Sequence, residues 1–314
     1  MDKLEELIRA KIPCPETGIE VKHTVCAICS PAYNCGIDAY VKDGKLLKVE
    51  GMDEHPRSRG CLCTKGLSNR GYVYREDRIL TPLRRVGKRG EGRFQPITWD
   101  EAYGEIAQKL LAIREKDGAD AVAFFGGYNK WYRPWLRRFA HSFGTFNYGT
   151  ESSTCMTAGW MAWKVAAGQL ARPDMAHSDL YLGWAFNPYY SGYLNAQAAE
   201  RAKAAGAKFI VIDPKITPAV EKLADLHLRP WPGTDGALAL CMGNVLIQKG
   251  WIDRDFIRDH VHGFEAYAAY AAGFNEGNVE QLTGVPYAQV LKACEMIRDA
   301  RSISSHENSA PIPH

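Results

Sequence analysis

Four cysteines near the N-terminus could hold iron and sulfide. Cys26 and Cys29 form a Cys-x2-Cys pair, Cys35 follows Ser30-Pro31-Ala32-Tyr33-Asn34, and Cys63 lies in Gly60-Cys61-Leu62-Cys63-Thr64-Lys65-Gly66. Thiolates are soft ligands, and four of them suffice for a cubane iron–sulfur cluster. Lys65, two residues past Cys63, would set a positive charge and a route for an electron against it. Four thiolates also suit a structural zinc ion, although zinc spacings usually pair two Cys-x2-Cys knuckles and this chain has one. A pair of disulfides is the other alternative. Cys61 competes with Cys63 for the fourth position. Pro31 and Asn34 are turn formers that let the loop before Cys35 bulge.

A second set of residues suits a nucleotide. Asp213-Pro214-Lys215-Ile216-Thr217 and Pro232-Gly233-Thr234-Asp235-Gly236 each place a carboxylate beside a strand end or helix start. Such a carboxylate can accept both hydroxyls of a ribose or both donors of a guanine edge, and free amides at helix N-termini receive phosphate oxygens. Taken singly, Asp-Pro is a common turn and Gly-Thr-Asp a common helix start. Upstream stand Gly183-x3-Asn187-Pro188 and, after a glycine-rich turn from Gly144 to Gly149, Glu151-Ser152-Ser153-Thr154-Cys155-Met156. A lone cysteine is most often a buried structural thiol.

In this order the strings resemble the molybdenum or tungsten bis-pterin oxidoreductases, the dimethyl-sulfoxide reductase superfamily. The resemblance runs from about Cys26 to the end of the chain. It implies a 4Fe-4S cluster on Cys26, Cys29, Cys35 and Cys63, with Lys65 beside it. It further implies a molybdenum or tungsten bis(molybdopterin guanine dinucleotide), with Cys155 as the protein ligand of the metal and Ser152 and Ser153 as outside alternatives. Gly183, Asn187, Pro188, Asp213, Pro214, Lys215, Thr217, Gly233, Thr234 and Asp235 would contact one dinucleotide half. The implied activity transfers an oxygen atom or hydride equivalent at a small substrate, and electrons leave through the cluster to a ferredoxin-like iron–sulfur subunit, through which a membrane anchor could attach. Three departures stand out. Five residues separate Cys29 from Cys35 where the family more often has three. Lys215 stands where arginine is usual, reducing a bidentate phosphate contact to a point charge. Met156 stands where the formate dehydrogenases have histidine, which disfavours formate. Such catalytic subunits are much longer, so the chain reads as the N-terminal part of one, with Asn308 to His314 in the middle of a loop.

The elements that must position these residues are legible. Alternation over Gly36 to Val41 and Leu46 to Gly51 about Asp43-Gly44 predicts a hairpin. Thr98-Trp99-Asp100-Glu101 reads as a capping box opening a helix with Ala102, Ile106, Leu110 and Ile113 on one face, stopped at Gly118. The apolar run Ala121 to Gly127 predicts a buried parallel strand. Leu180 to Trp184, Lys208 to Pro214 and Leu226 to Arg229 predict further strands, separated by a helix near Gly192 to Ala205 and followed by one from Asp235 to Gln248. Ligands of open α/β sheets bind beyond the carboxyl ends of the strands, which puts Asn187-Pro188 and Asp213-Pro214 on that edge. Tyr128 to Trp135 could stack on a planar ligand or bind phosphate, and otherwise begins a packed helix. The fold class is therefore α/β: a small β-rich iron–sulfur domain (1–82), then α/β/α units with mostly parallel sheets, resembling dinucleotide-binding folds, over 83–150 and 151–314.

With 314 residues, 46% hydrophobic and 24% charged, the chain is globular, and a net charge of +3 gives no support to nucleic-acid binding. Its charged start lacks a secretory or twin-arginine leader and no run is long enough to span a bilayer, so a cytoplasmic location is expected. Nine cysteines fit a reducing compartment. Cys14, Cys241 and Cys294 lack partners at ligand spacing and read as core or surface thiols, and His141, His177 and His262 carry no motif. Two rivals remain: a non-catalytic electron-transfer module that keeps the cluster alone, and a dinucleotide-dependent dehydrogenase, weakened by the lack of Gly-x-Gly-x-x-Gly after any strand.

Overall fold

A computed structural model describes residues 3–29, 34–154, 156–169 and 173–307. They fall into two compact units, Met1–Thr154 and Cys155–His314, each with sheets of its own. Pro31, Cys155 and the terminal stretch from Asn308 lie outside the described residues.

In the first unit, α1 (Lys3–Arg9) precedes an antiparallel sheet of β1 (Glu20–Val25), β2 (Gly36–Lys42) and β3 (Lys45–Gly51), in that order. The hairpin forms where alternation placed it. Asp43 and Gly44 both take positive φ, 48° and 72°, matching a two-residue turn to the twist of the strands. The inward set Ile37, Ala39 and Val49 is buried together with Cys26, so the first candidate ligand is part of this small core. Two short helices follow, α2 (Thr64–Leu67) and α3 (Asn69–Val73), then the hairpin of β4 (Leu83–Arg85) and β5 (Phe94–Pro96).

Helix α4 (Trp99–Asp117) begins in the predicted capping box. Thr98 Oγ1 accepts the Glu101 amide at 3.2 Å, and Glu101 Oε2 accepts the Thr98 amide at 2.8 Å. It ends at Gly118, with φ 87°. Its apolar stripe is not covered, however: none of its residues is buried, and Ile106 is 56% exposed. The strand expected over Ala121 to Gly127 also needs correction. A 3-10 turn occupies Ala119–Ala121, and only β6 (Phe124–Gly126) is extended, paired in parallel with β7 (Tyr148–Thr150). Successive strand residues face opposite ways. Phe124 packs edge-on against Phe139 and Phe143 of α5 (Arg133–Phe143), whereas Phe125 points from the other face and is 69% exposed.

The second unit opens with α6 (Met156–Ala167) and builds a parallel sheet from β8 (Leu180–Trp184), β9 (Lys208–Ile212), β10 (Leu226–Leu228) and β11 (Ile303–Glu307). The first three are the strands read from their apolar runs. The order is β10-β9-β8-β11. Helices α7 (Pro188–Ser191), α8 (Tyr193–Ala204), α9 (Pro218–Leu223) and α10 (Asp235–Gln248) make the crossovers, followed by α11 (Arg254–His260), α12 (Phe264–Ala271), α13 (Val279–Thr283) and α14 (Tyr287–Asp299). Leu180, Ile210, Ile212 and Leu228 meet Leu238, Cys241, Val290 and Cys294 in one core, while Tyr181 and Phe209 meet Ala199, Ala202 and Leu223 in another. Both faces are thus covered, which is why the strands carry continuous apolar runs. Cys241 and Cys294 are core thiols, pushed up to about 11 and about 12 by burial.

Strand β11 escaped the sequence because Ile303-Ser304-Ser305-His306-Glu307 is mostly polar. It pairs with β8 from Ile303 opposite Leu180 to Glu307 opposite Trp184. Its place matters. The chain steps from β8 outward to β9 and β10, then returns to lay β11 on the other side, so the order in which strands are added reverses between β8 and β11 while all four stay parallel. Such a switch point opens a crevice beyond the carboxyl ends of the strands.

Candidate functional site

Cys26 follows the last residue of β1, and its amide donates to the Cys35 carbonyl at 2.8 Å. Gly36 then donates to the buried Ser58 hydroxyl at 3.0 Å, and Ser58 is itself held by His55 Nδ1 at 2.9 Å. The loop that carries Cys61 and Cys63 returns tightly on β3. A Cβ on Gly51 would strike the carbonyl of Gly60, whose φ is 78°, and the Gly60 amide reaches Met52 O at 2.9 Å. Cys63 closes this loop as the residue before α2, its carbonyl accepting from Leu67 at 2.9 Å.

The electrostatics join four sulfurs. Burial pushes the Cys29 thiol up, the charge of Lys65 opposes this, and Cys63 and Cys26 push it further. Burial likewise raises Cys35, reinforced by Cys26, Cys63 and Cys29. Thiols whose ionised forms would repel one another in this way need a cationic body between them before they can ionise together. Among the described residues no three of His, Cys, Asp and Glu gather closely enough for a single metal ion. Sequence reasoning missed Asn69, whose Nδ2 donates to Gly66 O at 2.7 Å and approaches Cys26 Sγ at 3.9 Å. No spacing rule points to it.

Around the candidate metal ligand, the 3-10 turn Glu151–Thr154 leads toward Cys155. Glu151 pairs with Lys130 at 3.0 Å and with Arg133, which also donates to Ser152 Oγ at 3.3 Å and Gly127 O at 2.7 Å. Burial works to raise Glu151, but hydrogen bonds from Lys130 and Ser152 and both cationic charges outweigh it and hold the carboxyl below its ordinary value. The aromatic-basic stretch therefore ties down the turn Glu151–Thr154, and the helix it precedes starts only at Arg133. Ser153 is engaged with Thr150 O at 2.6 Å.

The nucleotide strings converge at the carboxyl edge of the second unit's sheet. After β8 the backbone turns at Ala185, φ 50°, while its amide extends the ladder to Ile212 O at 2.8 Å. Gly183 lies within β8, opposite Val211 and His306, so it does not reach the edge loop. Asn187 precedes the buried Pro188 that opens α7, and its Oδ1 is enclosed without a hydrogen-bond donor. After β9 the half-buried Asp213 accepts the Lys215 amide at 2.8 Å, and Pro214 O accepts Arg229 Nε at 2.9 Å. Lys215 is exposed, whereas Thr217 is buried and caps α9 by accepting from Val220 at 3.4 Å. Gly233 takes φ 85°, Thr234 bonds back to Trp231 O at 2.7 Å, and the buried Asp235 accepts Trp184 Nε1 at 2.6 Å. Trp184, Phe186 and His306 were not singled out from the sequence. Phe186 stacks on His306 with centroids 3.9 Å apart, at the switch point.

An orphaned acceptor at Asn187, two carboxylates and helix starts on one edge fit a nucleotide rich in N–H and O–H donors, and the thiol-lined corner fits an iron–sulfur cluster.

Comparisons with known proteins agree. Residues 19–75 match the molybdopterin oxidoreductase Fe4S4 domain, and residues 78–306 match the model of molybdopterin oxidoreductase. The chain is 29% identical over 304 residues to the probable oxidoreductase YoaE of Bacillus subtilis, covering 92% of this chain and 44% of that protein. It is 32% identical over 297 residues to the F420-dependent formate dehydrogenase 2 subunit alpha of Methanococcus maripaludis, covering 92% and 42%. Acetylene hydratase from Pelobacter acetylenicus superposes with a TM-score of 0.79 at 30% identity, covering 92% of this chain and 40% of that structure. The chain thus spans less than half the length of these relatives.

Proposed function

This chain belongs to the molybdopterin oxidoreductase family and carries its Fe4S4 domain, and from that premise we propose that it forms the N-terminal part of a catalytic subunit. The two domains imply a 4Fe-4S cluster and a molybdenum or tungsten pterin. When bound, the metal–pterin supplies exchange of an oxygen atom or hydride equivalent with a small substrate, and the cluster supplies one-electron transfer. The chain's own residues bind, orient and tune. Cys26, Cys29, Cys35 and Cys63 would hold the cluster, and Lys65 would offset its negative charge. Cys155 would ligate the metal, with its approach braced by Lys130, Arg133 and Glu151. Asn187, Asp213, Lys215 and Asp235 would hold one guanine dinucleotide at the sheet edge.

The observation that carries this reading is the pairing of Cys26 with Cys35 at the ends of β1 and β2, the Cys26 amide donating to the Cys35 carbonyl at 2.8 Å, within the stretch that matches the Fe4S4 domain. An iron–sulfur electron-transfer subunit is the partner we propose, since one relative is itself named a subunit alpha. Among the described residues no helix is long and apolar enough to cross a membrane, and we propose a cytoplasmic setting from the nine cysteines of the sequence. Metal analysis of protein purified without oxygen tests the proposal. Iron near about four per chain with molybdenum or tungsten supports the oxidoreductase, and iron alone supports the electron-transfer module. For Cys155, X-ray absorption should show fewer metal–sulfur contacts in Cys155→Ser than in the wild type. An unchanged number would make Cys155 a structural thiol.

A further inference from the structure

We infer that Trp184 is a positioning residue whose indole sets the orientation of the Asp235 carboxylate and so decides what that carboxylate can recognise. The inference rests on the proposed guanine-dinucleotide role of this sheet edge. Trp184 ends β8 and Asp235 begins α10, so the two residues meet across separate crossover units. The indole Nε1 donates to Asp235 Oδ1 at 2.6 Å, and the residues are only 8% and 7% exposed. Ala185, at φ 50°, turns the backbone off the strand directly after Trp184.

A carboxylate has about four acceptor positions. Among the described residues the indole fills one of them. A lysine or arginine in that place would neutralise the charge, whereas an indole fixes direction and leaves the negative charge available. A buried carboxylate with open acceptor positions is costly unless donors arrive. Guanine supplies two adjacent donors, N1–H and the 2-amino group. The Watson–Crick edges of adenine and cytosine set one donor beside an acceptor and match poorly. Trp184 thereby acts on base selection without touching the base.

The test uses the full chain carrying its cofactor, with GMP released by acid hydrolysis measured per folded chain alongside the melting temperature. Trp184→Phe keeps the packing and removes the donor. It should lower GMP content roughly tenfold, as should Asp235→Asn, the size expected for a lost hydrogen bond to a charged group. The double variant should fall no further than the worse single one, and Trp184→His, which restores a ring N–H, should recover part of the loss. If Asp235→Asn loses GMP while Trp184→Phe keeps it, the positioning role is overturned and the guanine site stands. If Asp235→Asn retains GMP, the guanine reading of Asp235 fails first. Should Trp184→Phe not fold, the 15N-indole resonance of wild-type Trp184 decides. It must shift on adding GMP and on Asp235→Asn, and a resonance indifferent to GMP overturns the inference.

Discussion

The amide of Cys26 donates to the carbonyl of Cys35 at 2.8 Å, closing the five-residue interval after Cys29 with a backbone bond. The two residues are therefore brought opposite each other at the ends of β1 and β2. The long gap to Cys35, which sets this chain apart from its family, does not by itself remove Cys35 from the ligand set.

Replacing Cys63 with alanine should abolish the cubane absorption and its electron paramagnetic resonance signal, because Cys63, like Cys26, lies close enough for its charge to act on both Cys29 and Cys35. Cys61→Ala should keep most of the signal. Equal loss in the two variants would overturn the choice of Cys63.

Asn69 offers an N–H toward Cys26 Sγ at 3.9 Å. A donor to a cluster thiolate favours the more negative, reduced state. Asn69→Leu should keep the cluster but shift its midpoint potential in the negative direction, read by redox titration. An unchanged potential would confine Asn69 to holding Gly66.

Asp225 joins the starts of β9 and β10. It accepts the Phe209 amide at 2.9 Å and pairs with Lys203 at 2.7 Å and Lys208 at 3.3 Å. Burial acts to raise its pKa, but these bonds and charges leave it lowered. A carboxyl depressed in the folded state stabilises at pH above its unfolded value, about 3.9, and that contribution is lost as pH falls through the lower folded value. Asp225→Asn should cost roughly 2 kcal/mol at neutral pH. Its melting temperature should also fall less than the wild type's between neutral pH and pH ~3. Parallel pH curves would show that Asp225 contributes no linkage.

Ala185 holds φ at 50° where a β-branched side chain meets its own backbone. Ala185→Val should lower stability by about 1–2 kcal/mol in urea unfolding, while Ala185→Gly should be tolerated. A valine variant as stable as the parent would mean that this turn relaxes to negative φ at no cost.

Much of the architecture was legible because local rules suffice for it. Asp43-Gly44 demanded a primed turn, Thr98 and Glu101 demanded a capping box, and the apolar runs of β8, β9 and β10 could be buried only in a parallel sheet covered on both faces. The cysteine spacing and the Asp213 and Asp235 strings likewise carried the family resemblance unaided, since ligand chemistry depends on residue type. Other features are long-range. β11 is a strand because β8 leaves an unpaired edge for it, not because Ile303 to Glu307 favours one, and with it came the switch point between the two strands. Gly183 proved to be mid-strand and Ala185 the turning residue, a difference of backbone angle that composition does not encode. Asn69 beside Cys26 and Trp184 on Asp235 are contacts between residues far apart in the chain, set by how elements pack. The donor types and their order were thus determined by the sequence alone, whereas which side chain orients each donor was decided by tertiary packing, because a hydrogen bond depends on angstrom-scale distance and direction that only the assembled elements impose.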